Sequence, residues 1–187
     1  MINGRIGAIG GGDSMQNLFY ERTVIMKLHE LITAAVSYDC GDPKRIQHFM
    51  KVYAFAQAIG ESEGLSQREM EILRAAAVLH DIGIRECERK YSSCEGELQQ
   101  VEGVPVAREI LGSLGADEEL TERVCFLIAH HHTYSGIDSD DWQILVEADF
   151  LVNIFEDNMS AEAAKQVCDK IFRTASGKML LKKLYLS

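Results

Sequence analysis

Leu73-Arg74-Ala75-Ala76-Ala77-Val78-Leu79-His80-Asp81-Ile82-Gly83 is the stretch on which the fold turns. From Ala75 to Leu79 every residue is apolar, so the segment belongs in an interior, yet it ends on an ionisable pair. Upstream, Ser66-Gln67-Arg68-Glu69 has the spacing of a capping box, in which a serine hydroxyl and a glutamate carboxylate satisfy free backbone N–H groups reciprocally. The box predicts a helix running towards His80-Asp81, with Gly83 as the point where it stops or bends. A His-Asp pair at the end of a buried helix is costly unless something neutralises it.

Similar signals recur on either side. Asp42-Pro43 is an N-cap followed by proline at the first helical position. The helix it opens carries Ile46, Phe49, Tyr53 and Ala56 on one stripe, with Val52 and Ile59 beside it. An earlier helix is expected from near Gln16 through Leu18, Val24, Ile25, Leu28, Leu31 and Ile32, ending before Asp39-Cys40-Gly41. Residues 86–104 are polar and contain Ser92-Ser93 and Gly96, which predicts a long loop of the kind that forms lids. Pro105 is expected to start a helix closed by Gly115, and Asp117 to cap the next, which ends at His130-His131-His132. Helices near 141–156, 160–175 and 178–186 complete the chain. No stretch alternates as a sheet strand does, and only two prolines interrupt it. The expectation is an all-α fold: one helical domain over residues 15–187, preceded by a glycine-rich flexible tail at 1–14.

At 187 residues the chain fits one core. A net charge of −10 argues against broad binding to nucleic acid backbones or anionic membranes. It does not argue against a small phosphorylated substrate, because a bound cation reverses the local field. No apolar stretch is long enough to span a membrane and no signal peptide is legible. Five cysteines without a CxxC pair read as reduced thiols, and the expected location is cytoplasmic.

Chemistry concentrates in a few places. Of six histidines, four lie in His80-Asp81 and the triplet His130, His131 and His132. His48, beside an apolar stripe, would by itself read as a satisfied core or surface residue. Asp149 sits within Ile144-Leu145-Val146-Glu147-Ala148-Asp149-Phe150-Leu151-Val152, where an aspartate facing a core needs a cation, an arginine or several donors. Glu147, two residues earlier, turns to another side and is expected to face solvent or a neighbouring base. Histidine and carboxylate together are ligands of divalent transition metals.

The order His48, His80-Asp81, Asp149 resembles the HD superfamily of metal-dependent phosphohydrolases. The likeness covers about residues 40–157. It includes the His-x-x-Lys-Val setting at His48, Leu79-His80-Asp81-Ile82-Gly83, and Glu147-Ala148-Asp149-Phe150-Leu151. The resemblance implies a helical bundle around one divalent ion held by His48, His80, Asp81 and Asp149. It also implies that Asp81 contacts the nucleophilic water as orienting group or general base. Some members hold a second metal through extra histidines. Here Glu102 stands where one of them often lies, and the triplet supplies the others. Aligning Ser135-Gly136 with two-metal members points to His130 and His131, the favoured pair, and leaves His132 as a substrate contact. Aligning Thr133-Tyr134-Ser135-Gly136 with single-metal relatives points to His132 instead. The ion would be manganese, magnesium, cobalt, nickel or iron. Phosphate recognition falls first to Arg85, with Arg45 and Lys51 flanking His48. The expected activity is hydrolysis of a small phosphorylated metabolite, a nucleotide or other phosphomonoester. Two alternatives stand beside it: a di-iron oxygenase of the same superfamily, and a metal- or nucleotide-binding module without turnover.

Overall fold

The computed structural model describes residues 27–93 and 95–187. The expected tail at 1–14 and the expected helix start at Gln16 lie outside those residues. Among the described residues the chain is helical throughout, with no strand. Helix α1 is Leu28–Tyr38, α2 Pro43–Glu63, α3 Gln67–Leu79, α4 Ile84–Tyr91, α5 Gly96–Ser113, α6 Glu118–His130, α7 Asp140–Glu156, α8 Ala161–Lys170 and α9 Ala175–Tyr185.

The helix starts are local chemistry. The Asp42 carboxylate accepts from Arg45 N at 2.9 Å, and Asp117 accepts from Leu120 N at 2.9 Å. The capping box of α3 is complete: Ser66 N donates to Glu69 Oε2 at 2.8 Å and Glu69 N to Ser66 Oγ at 3.3 Å.

Helix α2 packs along both α3 and α7, α6 packs on α3 and α5, and α9 closes over α2, α7 and α8. The two innermost helices are recognisable by long stretches with no solvent face. Ala75 to Leu79 of α3 are all buried, and so is every residue from Asp141 to Asp149 of α7. The alanines of α3 let its neighbours approach closely. Both helices therefore carry their polar residues into the centre of the bundle.

The polar stretch at 86–104 is not a loop. It folds as α4 and the first half of α5, and Pro105 lies inside α5 instead of starting it. Helix α4 buries only Cys87, so it lacks the apolar stripe that marks a helix in sequence. Ion pairs one turn apart support it, with Arg89 reaching Glu86 at 2.6 Å and Lys90 reaching Glu86 at 3.8 Å. Its docking depends on Gly83, where a Cβ would lie 2.5 Å from both Gln99 O and Gly103 N of α5. Pro105 is tolerated where Val101, whose carbonyl would receive the missing bond, is exposed.

Two other expectations are corrected. The helix expected at 160–175 stops at Lys170, because Thr174 caps α9 by accepting from Gly177 N at 3.0 Å. Glu147 is fully buried, facing neither solvent nor a base. Its carboxylate accepts from Gln143 Nε2 at 2.8 Å, Thr174 N at 2.9 Å, Arg173 N and Thr174 Oγ1. It anchors the N-terminus of α9 to α7.

Candidate metal centre

Three helices converge on one buried point. The second turn of α2 supplies His48, the C-terminus of α3 supplies His80 with Asp81 in the turn that follows, and the middle of α7 supplies Asp149. His48 Nε2 lies 3.2 Å from His80 Nε2. Asp81 Oδ2 is 3.5 Å from each of those nitrogens, and Asp149 Oδ1 is 3.2 Å from His48 and 3.6 Å from His80. Donors about 2.1 Å from a common ion stand about 3.0 Å apart on an octahedral edge and about 3.4 Å apart on a tetrahedral one. The observed spacings match such a set.

Proton placement supports the same fit. His48 Nδ1 is 3.0 Å from Glu156 Oε2, His80 Nδ1 3.0 Å from Ala77 O, and His131 Nδ1 2.7 Å from Ile128 O. Each ring spends its N–H on an acceptor behind it, which turns the Nε2 lone pair inward. Two inward lone pairs 3.2 Å apart repel unless a positive charge lies beside both.

The charges agree with that arrangement. Burial opposes a charge on His80, but the Asp81 and Asp149 carboxylates outweigh it and raise the ring to about 9. His48 is raised by the same balance of burial against Asp149 and Asp81. Burial alone would push Asp81 and Asp149 towards the neutral acid, yet the surrounding histidines hold both well below the usual carboxylate range. Two ionised carboxylates in a buried pocket require a cation.

The triplet divides by direction, because successive residues of a helix point about 100° apart. His131 is buried at the end of α6, with Nε2 3.5 Å from Asp81 Oδ1 and no hydrogen-bond partner. His132 follows it inward, its Nε2 3.0 Å from Gln99 Oε1, and Asp81, His131 and His132 offer ligand atoms within 4.8 Å of one another. Burial, then the charge of His131, lowers His132 to about 4, so this ring is neutral near pH 7. His130 departs from the expected pair with His131. Its ring stacks on Phe126 at 4.2 Å and meets Trp142 edge-on at 5.5 Å. Glu102 is likewise turned away, its carboxylate held by Lys90 Nζ and by Tyr91 OH at 2.7 Å. Gln99, one turn earlier on α5, faces the histidines in its place.

A cleft of about 640 Å³ opens beside the cluster, and Lys44, Arg45, His48, Asp81, Asn153 and Glu156 are among its walls. The basic residues expected to bind phosphate are engaged elsewhere. Arg45 is shared by Asp39 at 3.4 Å, Asp42 at 3.3 Å and Glu88 at 3.2 Å. Lys51 is held by Glu156, and Arg85 donates to Tyr38 O while lying 5.5 Å over the Tyr38 ring. Lys44 is exposed at the cleft and has no ion pair among the described residues. Sequence reasoning missed Lys44, Gln99, Asn153 and Glu156. For the last two a signal existed: Asp149, Asn153 and Glu156 are spaced i, i+4, i+7 on one face of α7.

Comparison with known proteins adds three findings. The model of the HD domain family matches residues 45–173, which include every residue of the cluster. A crystal structure described as a predicted HD superfamily hydrolase from an uncultured Thermotogales bacterium superposes with a TM-score of 0.63. That protein is 25% identical, with 91% of each chain covered. No curated protein matches the chain significantly.

Proposed function

The chain belongs to the HD domain family, a family of metal-dependent hydrolases, and from that premise we propose that it hydrolyses a small phosphorylated metabolite, a nucleotide or another phosphomonoester. The observation that carries the reading is the convergence of two imidazole nitrogens and two carboxylates, all within 3.6 Å of a neighbouring donor, at the floor of an open cleft.

His48, His80, Asp81 and Asp149 would hold the ion. A divalent ion there lowers the pKa of bound water and offsets charge on a phosphoryl group. Asp81 lines the cleft with His48, and its carboxylate divides its oxygens between the two histidine groups, Oδ2 towards His48 and His80, Oδ1 towards His131. Reaching both the cleft and the two histidine groups, it is placed to orient the attacking water or to act as its general base. His131 and His132, sharing Asp81, form the set that would take a second ion. On the substrate side the cleft volume suits a nucleotide-sized molecule. Lys44, without an ion pair among the described residues, is a cation that can meet its phosphate, and Asn153 offers an amide in the same cleft.

The test is phosphate release from nucleoside monophosphates and sugar phosphates by metal-stripped protein. Each assay receives magnesium, manganese, cobalt, nickel or iron, beside an Asp81→Ala control. Metal-dependent release that the control lacks is expected. A folded protein that binds metal and releases no phosphate from any member of the panel overturns the reading.

A further inference from the structure

Three imidazoles of the cluster, those of His48, His80 and His131, are not held alike. His80 and His131 each end a helix, and their Nδ1 protons go to Ala77 O and Ile128 O, among the last four carbonyls of α3 and α6. Those carbonyls have no partner within the helix, so the backbone orients both rings. His48 has no such acceptor. It lies in the second turn of a 21-residue helix, where the carbonyls three and four residues back are already bonded along the helix. Its Nδ1 acceptor comes instead from another element, α7.

Glu156 stands seven residues after Asp149 on the same face of α7, with Oε2 3.0 Å from His48 Nδ1. Its other oxygen takes the ammonium of Lys51, one turn after His48 on α2. The side chain is mostly buried, at 14% exposure, and Lys51 at 43% forms its outer edge. Lys51 thus closes a chain running Lys51–Glu156–His48, which is why it is not available to substrate.

We infer that Glu156 is the positioning residue of the centre: held by Lys51, it fixes the His48 proton on Nδ1 and so aims Nε2 at the ion. The inference rests on the metal reading above. Without the carboxylate, the His48 ring can carry its proton on either nitrogen and rotate, and one ligand in four is lost for part of the time.

The experiment measures metal affinity of the stripped full-length chain by competition with a chromophoric chelator, using Mn²⁺ and Zn²⁺. Glu156→Leu removes the acceptor, Glu156→Gln keeps a carbonyl oxygen in place, and Lys51→Met removes the outer anchor. Loss of such an orienting partner weakens binding by about 10- to 100-fold, which is expected for Glu156→Leu. Glu156→Gln is expected to recover most of that loss, and Lys51→Met to fall between them. Long-range ¹H–¹⁵N spectra of the zinc form supply a readout that a merely structural role would not move. The His48 proton sits on Nδ1 in the wild type and exchanges faster with solvent in Glu156→Leu. Wild-type affinity in Glu156→Leu, or equal loss in Glu156→Gln, overturns the inference alone. Should Glu156→Leu not fold, unchanged affinity and exchange in both Glu156→Gln and Lys51→Met would overturn it. A wild-type chain that binds no metal overturns the metal reading and the inference with it.

Discussion

His48 Nε2 and His80 Nε2 face each other across 3.2 Å, although both rings place their Nδ1 proton on acceptors behind them. A positive charge must accompany that contact. Without metal a proton takes the role, held on the His48–His80 pair by Asp81 and Asp149.

Metal binding should therefore release protons, and its affinity should rise with pH. With His80 raised to about 9, the metal-free centre is protonated at pH 7, and each ion must displace that proton. Calorimetric titration in buffers of different ionisation enthalpy should show proton release at pH 7 that fades above pH 9. The sign for stability follows from the same shift. A histidine raised on folding stabilises fully below its unfolded value near 6.5 and loses that contribution as pH rises through about 9. Asp81 and Asp149, depressed on folding, contribute above about 3.9 and lose their contribution as pH falls below it. The melting temperature of stripped protein should fall between pH 6.5 and 9, and saturating metal should flatten that slope. A stripped protein equally stable at both ends of that window would refute the assignment.

Gly83→Ala should loosen the bundle beside the centre. The added methyl would sit 2.5 Å from backbone atoms of Gln99 and Gly103, which cannot move without shifting α5. Forced overpacking of this kind costs about 1–3 kcal/mol. Urea denaturation should show the loss. Because Asp81 is two residues away, metal affinity should weaken with it.

The caps at Asp42, Ser66 and Asp117 were legible because each is a contact among residues three apart. His80, Asp81 and Asp149 stood out in the sequence because polar residues ending or interrupting apolar runs need an explanation, whereas His48 joined them only through the family resemblance. Helix α4 was not, since its support is ion pairing and a backbone contact at Gly83, neither of which leaves an apolar period. The triplet could not be resolved from sequence because the direction of each ring depends on where α6 ends. The i, i+4, i+7 spacing sets Glu156 on the Asp149 face of α7, but its pairing with His48 comes only through the packing of α7 on α2, a relation between residues 108 positions apart.

Arg45 and Lys44 are adjacent in sequence and should fail differently. Arg45 holds Asp39, which is 2% exposed and whose carboxyl burial already raises. Arg45→Met strands that carboxylate, and breaking a buried pair from one side costs about 3 kcal/mol or more. Lys44 holds nothing among the described residues, so Lys44→Ala should leave the urea midpoint unchanged. Its effect should appear in KM for a phosphorylated substrate, raised about 5- to 20-fold for one lost charge-assisted contact, with kcat nearly constant. A Lys44→Ala enzyme with wild-type KM would remove it from the substrate site.

Glu147 and Asp149, two residues apart on one buried helix, should separate structure from chemistry most clearly. Asp149 faces the histidines, whereas Glu147 faces Thr174 and Arg173 at the start of α9. Glu147→Ala takes the carboxylate acceptor from the Arg173 and Thr174 N–H groups and the Thr174 hydroxyl, while the Gln143 amide keeps Ile171 O, a loss of about 2–4 kcal/mol. Glu147→Gln keeps one oxygen and should lose less. In both variants the protein that remains folded should bind metal as the wild type does, because none of the cluster contacts passes through Glu147. Asp149→Asn should do the reverse, removing metal binding while α9 stays docked. Measuring urea midpoint and metal affinity on the three variants together gives the test. Loss of metal affinity in folded Glu147→Gln would show that the two faces of α7 are coupled.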